Sequence, residues 1–233
     1  MENIAIVFGG GKGQRMENNL IPKQFITINS KPLIIHTIEK FQKCELITNI
    51  VVVCLSSYVQ LMQELVHEFR LDKVVSIVEG GCSGQESIFN GIKEAIRLFA
   101  NEEDAVVLIH DAVRPLIDEK TIIDNINNVR KFGSSITVTK VTESIVLADD
   151  KENILSSLKR DDCYFARAPQ SFYLKDIYKA HLLAKKENKI SFVDSSELMR
   201  YYGYSLHYTI GPVNNIKITT QIDLNVFKAL INN

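Results

Sequence analysis

The chain has 233 residues, 45% apolar and 24% charged, the make-up of an ordinary globular protein with one sizeable core. A formal net charge of −1 excludes a bulk positive field for nucleic acid or an anionic membrane, so an anion must be held by a few placed side chains. Four scattered cysteines without C-x-x-C spacing argue against a zinc site or a disulfide scaffold, and no apolar run approaches the ~18 residues of a membrane helix. The expectation is a protein of the reducing cytoplasm.

In chain order, the apolar run 3–8 (NIAIVF) reads as a first strand that empties into GGGKGQRM, residues 9–16. Residues 32–44 repeat apolar side chains at three and four and read as a helix. The same alternation continues with a strand over 49–55, a helix over 57–69, a strand over 73–78 and a helix over 85–99. A strand over 104–110, a helix over 119–132 and a strand over 134–141 follow. Several of these strands are continuously apolar, as expected when both faces of a parallel sheet are buried. The pattern predicts an α/β doubly wound, mostly parallel sheet in a single domain spanning 1–233.

One stretch breaks the rhythm. From Glu143 to Leu158 two apolar pieces flank the polar turn DDKEN, which predicts a hairpin projecting from the sheet. An isolated two-stranded hairpin is marginal in water, so its apolar side chains need cover. Two readings are open: it folds back on its own domain, or it clasps a second copy of the chain.

The glycine loop matches neither of two common phosphate loops. G-x-G-x-x-G fails in both registers, with Gln14 or Met16 at the third glycine, which argues against a nicotinamide-dependent oxidoreductase. G-x-x-x-x-G-K-[ST] fails because Gly11-Lys12 is followed by Gly13 and preceded, five residues back, by Ile6. Glycines nonetheless let backbone N–H groups approach phosphate oxygens, and Lys12, Arg15 and Lys23 bring charge to the same sheet end. The plainer alternative is a tight turn after a strand. Asp111, at the end of the fourth strand in HDAVRP, is placed to hold Mg²⁺ through oxygen or to cap a turn. Lys217 sits in a strand-like NIKITT and either reaches a phosphate or extends to solvent.

Together GGGKGQRM, PKQF (22–25), the double glycine at 80–81 with Ser87, HDAVRP (110–115), Lys159-Arg160, APQSF (168–172) and NIKITT (215–220) resemble the polyol-phosphate cytidylyltransferases. That family includes the methylerythritol phosphate enzymes of isoprenoid synthesis and the ribitol phosphate enzymes of teichoic acid and capsule synthesis. The resemblance implies a Rossmann-like nucleotidyltransferase with a projecting arm at 143–160. It implies a reaction of CTP with a polyol phosphate to give a CDP-polyol and pyrophosphate, with Mg²⁺ as cofactor. Arg15, Lys23 and Lys217 would be catalytic. Phe8, Gly9, Gly10, Gly11, Gly13, Gly81, Ser87 and Asp111 would surround the nucleotide, Asp111 also binding the metal. Arg114, Ser144 and Arg160 would meet the acceptor, some of them across a homodimer formed through the arm. A nucleotide-binding protein without turnover is the more distant alternative.

Departures from the family pattern cluster around the acceptor. Glu143-Ser144 replaces Asp-Thr, Ala168 replaces the threonine of TPQ, Val193 replaces the threonine of Thr-Asp, and Gly84 stands where arginine is common. A pocket that loses hydroxyl donors penalises an acceptor whose polar groups go unpaired. This favours ribitol 5-phosphate, or a related polyol phosphate of surface polysaccharide, over methylerythritol phosphate.

Overall fold

The computed structural model describes residues 1–10, 21–189 and 191–231. Strand β1 (Asn3–Gly9) is followed by the two-residue strands β2 (Thr27–Ile28) and β3 (Lys31–Pro32) and by α1 (Leu33–Lys43). Next come β4 (Asn49–Cys54), α2 (Val59–Glu68), β5 (Val74–Glu79), α3 (Gly84–Phe99), β6 (Val106–Asp111), α4 (Glu119–Phe132) and β7 (Ser134–Lys140). The chain continues through β8 (Ile145–Ala148), β9 (Ile154–Leu158), β10 (Tyr164–Tyr173), α5 (Leu174–Lys186), α6 (Ser195–Tyr201), β11 (Tyr208–Ile210) and α7 (Gln221–Ile231). The strands expected from continuous apolar runs are β1, β4, β5, β6 and β7, and the expected helices are α1 to α4.

The central sheet has the order β11-β7-β10-β6-β1-β4-β5. Ile4 and Ile6 of β1 bury on one face, Ala5 and Val7 on the other, which is why the run does not alternate with polar residues. Helices α1, α2 and α4 cover the Ala5–Val7 face with Ile38, Phe41, Met62 and Ile126. Helices α3, α5 and α6 cover the opposite face with Ile88, Ile92, Ile177 and Leu198. Helix α4 starts on Asp118, whose carboxylate accepts from Thr121 N, and stops at Gly133 in the left-handed region with φ 87.

Winding outward from β1, the chain places β4 and then β5 on one flank, after which α3 returns it to β6 on the other flank. Strands β1, β4, β5 and β6 are parallel, so this reversal opens a crevice at the carboxyl ends of β1 and β6.

Two elements depart from the sequence expectation. Strand β10 runs antiparallel between β6 and β7, inside an otherwise parallel sheet. Its pairing with β7 skips from Ala166 to Gln170, which accommodates Pro169, a residue without an N–H for the ladder. The NIKITT segment is not a strand. It is irregular and pinned by single contacts, including Ile218 N donating to Val113 O at 2.9 Å.

Strands β8 and β9 form their own two-stranded antiparallel sheet, with Ile145 opposite Leu158. The connecting turn is organised by the Asp149 carboxylate, which accepts from Lys151 N and Asn153 N, each at 2.9 Å. The hairpin does not fold back on its own domain, because every residue of β9 is exposed. Ile154 is 68% and Leu155 64% exposed, with Val146, Leu147 and Leu158 also open to solvent.

Candidate active site

The floor of the crevice is set by backbone. Phe8 lies opposite Asp111 in the β1–β6 ladder, and Ala112 N donates to Phe8 O at 2.8 Å. Gly9 and Gly10 follow. A Cβ on Gly10 would stand 2.4 Å from Ser87 Oγ, and one on Gly80 would stand 2.9 Å from the Gly10 Cα, so the loops after β1 and β5 touch through bare backbone. Gly84, by contrast, has nothing within 4 Å of the place a Cβ would take.

PKQF forms one turn of 3-10 helix, Lys23–Phe25. Gln24 is buried and its Nε2 donates to Gly9 O at 2.7 Å, while Phe25 is buried and stacks on Tyr58 with ring centroids 4.6 Å apart. These two anchors bring Lys23 to the glycine end of β1. The structural importance of Gln24 was not drawn from the sequence, although its place beside Lys23 in a short motif after a glycine loop was the available signal.

Asp111 ends β6, buried, and carries two cations. Lys217 Nζ donates to its Oδ1 at 2.6 Å and Arg114 Nε to its Oδ2 at 2.8 Å. Burial alone would raise this carboxyl, but the charges of Lys217 and Arg114 outweigh it and hold Asp111 well below the usual carboxylate range. Arg114 also donates through a terminal nitrogen to Asn215 O at 3.0 Å, and Asn215 Nδ2 donates to Ala168 O at 2.8 Å. The buried Asn215 thus ties Arg114, β10 and the Lys217 segment into one block. His110 Nε2 donates to Arg114 O at 3.0 Å, and burial pushes this imidazole down to about 4, so it is neutral at pH 7.

Two cavities adjoin at this cluster. The smaller, about 180 Å³, is walled by Gly9, Gly10, Lys23 and Gln24. The larger, about 420 Å³, is walled by Arg114, Arg167, Ala168, Gln170 and Asp194. Phe8, Gly84, Asp111 and Lys217 line both and form the partition. Asp194 is occupied with structure: it accepts from Gln170 Nε2, Ser196 Oγ and Glu197 N, capping α6.

Of the residues singled out in the sequence, Phe8, Gly9, Gly10, Lys23, Asp111, Arg114 and Lys217 are brought together here. Ser87 sits behind Gly10 and is committed within its loop, donating to Ser83 O and accepting from Gly81 N at 3.0 Å. Gly81 and Ser87 therefore shape the loop that meets the glycine end. Ser144 and Arg160 are exposed at the arm and its base and line neither cavity. Gly11, Lys12, Gly13 and Arg15 lie outside the described residues. Arg167 was missed. It immediately precedes APQ, and the proline two residues on was the signal that a ladder break could turn it out of the sheet.

Paired cations around one buried carboxylate, beside a bare-backbone loop at the switch point of a doubly wound sheet, suit phosphate chemistry in which charge is neutralised and two groups are aligned. The class so defined is a nucleotidyltransferase. The chain belongs to the 2-C-methyl-D-erythritol 4-phosphate cytidylyltransferase (IspD) family, whose model matches residues 3–233. It is 45% identical over 230 residues to a ribitol-5-phosphate cytidylyltransferase of Streptococcus agalactiae serotype V, covering 99% of this chain and 95% of that one. A ribitol-5-phosphate cytidylyltransferase of Vibrio parahaemolyticus is 43% identical, covering 98% of this chain and 95% of that one. The fold matches the crystal structure of 4-diphosphocytidyl-2C-methyl-D-erythritol synthase from Anaerococcus prevotii, with a TM-score of 0.84 at 24% identity over 100% of this chain and 96% of that one. The activity is that of a cytidylyltransferase. Among the described residues no helix is long and apolar enough to cross a membrane.

Proposed function

We propose that this enzyme transfers CMP from CTP to ribitol 5-phosphate, giving CDP-ribitol and pyrophosphate. The observation that carries the acceptor is the 43–45% identity, over nearly the whole chain, to proteins named for ribitol 5-phosphate. The larger cavity agrees, because Ala168 leaves it without the hydroxyl of a TPQ sequence.

In this reading the triphosphate lies along Gly9 and Gly10 with Lys23, and the acceptor phosphate enters the larger cavity beside Arg114. A phosphate oxygen of the acceptor attacks the α-phosphorus of CTP, the bond from that phosphorus to the bridging oxygen breaks, and pyrophosphate leaves with the electron pair. The acceptor is already ionised near neutral pH, so no general base is required. Lys217, on the partition, balances charge on the α-phosphate as the displacement proceeds. Arg15 adds to the triphosphate side, and Gly81 and Ser87 hold the loop against which the nucleoside rests.

Among the described residues no group of three or more His, Cys, Asp or Glu side chains forms a metal cage. Mg²⁺ fits nonetheless, because it is commonly held by one or two carboxylates plus substrate phosphates, and Asp111 is such a carboxylate. Bound there, the ion would supply charge neutralisation on the phosphates.

The exposed arm is read as a dimer contact. Its apolar side chains cover the second copy, and Ser144 and Arg160 are carried toward that copy's acceptor. The reaction belongs in the cytoplasm, where CTP is available.

Pyrophosphate release over a matrix of CTP and UTP against ribitol, arabinitol, glycerol and methylerythritol phosphates tests the reading. The expected result is the highest kcat/KM with CTP and ribitol 5-phosphate. A higher value with methylerythritol phosphate would overturn the acceptor, and tight CTP binding without product from any acceptor would overturn turnover itself.

A further inference from the structure

The larger cavity holds more positive charge than its own carboxylates pair. Arg114 and Lys217 both bind Asp111, and Asp194 is taken up by Gln170, Ser196 and Glu197. Arg167 is left over. Among the described residues it makes no ion pair, yet it is half-buried and lines the cavity with the other two cations.

Two contacts hold its guanidinium. Arg167 Nε donates to Thr139 Oγ1 of the neighbouring strand β7 at 3.3 Å, and the guanidinium lies 5.4 Å from the centre of the Phe165 ring. Burial, together with the charge of Arg114, lowers its affinity for a proton relative to an ordinary arginine. Two guanidinium groups that repel across a cavity are stabilised by an anion placed between them. They differ in availability. Arg114 spends donors on Asp111 and Asn215, whereas Arg167, a residue with five N–H donors, commits its Nε to Thr139 and lines the cavity without a carboxylate partner among the described residues.

The reason it reaches the cavity lies in the ladder. The β10–β7 register breaks between Ala166 and Gln170, so residues 167–169 are released from strict strand pairing. We infer that Arg167 binds the phosphate of the acceptor polyol phosphate and determines acceptor specificity, supplying a charged donor one residue before the position where Ala168 lacks a hydroxyl. This rests on the proposed cytidylyl transfer. The smaller cavity with Gly9, Gly10 and Lys23 does not include Arg167, so the residue acts on the acceptor and not on the triphosphate.

Steady-state kinetics of Arg167→Ala, Arg167→Lys and Thr139→Val decide the matter, with thermal melting to confirm that each variant is folded. Arg167→Ala should raise KM for ribitol 5-phosphate by about tenfold to a hundredfold, the value of a lost charged hydrogen bond, while KM for CTP stays within about twofold. Arg167→Lys should recover part of the loss, because a lysine keeps the charge without the planar fork. Thr139→Val, which removes only the tether, should raise KM by about threefold. Calorimetric binding of inorganic phosphate, measured without turnover, should weaken in Arg167→Ala by a similar factor. An unchanged acceptor KM and unchanged phosphate binding in a folded Arg167→Ala protein would overturn the inference, as would a rise confined to KM for CTP. If the wild-type enzyme uses no polyol phosphate, the proposed function fails on that result. The phosphate titration then still decides whether Arg167 is an anion ligand.

Discussion

The carboxyl end of β6 and the β8–β9 arm are built on opposite terms. At β6 a buried carboxylate is paired with two cations, and the backbone carbonyl of the buried Asn215 accepts from Arg114, all within a single chain. On the arm, apolar side chains stand in solvent, and the internal bonds are the β8–β9 ladder and the turn around Asp149. The charged cluster is therefore assembled by the chain's own residues. The arm has the opposite character, since an isolated two-stranded hairpin with exposed apolar side chains gains little from its own contacts.

The comparison breaks most visibly at Asp111. Asp111→Asn leaves Arg114 and Lys217 without their counter-charge, and the expected loss is about 3–5 kcal/mol of folding stability, read as a lower urea midpoint. The depressed carboxyl has a pH signature: its contribution is present above its unfolded value near ~3.8 and fades as pH falls below that value toward the lower folded one. The asparagine variant should lose that limb of the acid unfolding curve.

Lys217→Ala comes next. Its side chain is partly exposed, so the fold should survive, while kcat/KM for pyrophosphate release falls by about 10²–10³, or about 3 kcal/mol of transition-state stabilisation. A variant with wild-type turnover would remove Lys217 from the reaction. On the arm, Leu155→Asp should convert a dimer to a monomer in sedimentation velocity while changing the stability of the isolated chain by less than about 0.5 kcal/mol. A dimer that persists in this variant would take the arm out of the interface.

A further effect, read only as a slope with pH, concerns two histidines buried away from the arm. Burial pushes His110 and His181 each down to about 4, so both are neutral when folded at pH 7. Unfolding lets them take up protons near pH 6.5, so the stability they contribute is complete above that value and is lost progressively between about pH 6.5 and 4. His181→Leu should flatten the urea midpoint against pH across this window, and an unchanged slope would reject the assignment.

The parallel half of the fold was legible because its strands are buried on both faces. Ile4, Ala5, Ile6 and Val7 announce such a strand without any need for alternation. The antiparallel strand β10 was hidden by its own residues: Pro169 within a central strand argues against a ladder, and only the tertiary register break makes room for it. Lys217 was found for its charge but assigned to strand-like backbone, since nothing local in NIKITT reveals that Asn215 and Ile218, by pairing with Ala168 and Val113, replace the ladder. Arg167 escaped for the same reason, its role depending on which way a broken strand turns.

The loops after β1 and β5 also set where this molecule can change. Gly10 and Gly80 admit no added carbon, so drift there is closed by sterics. Gly84, lining both cavities with open space about its Cα, is free to gain a side chain. A side chain gained at Gly84 would alter the partition between the two cavities while the close approach of Gly10 to Gly80 stays fixed, so the crevice has one adjustable wall beside a rigid one.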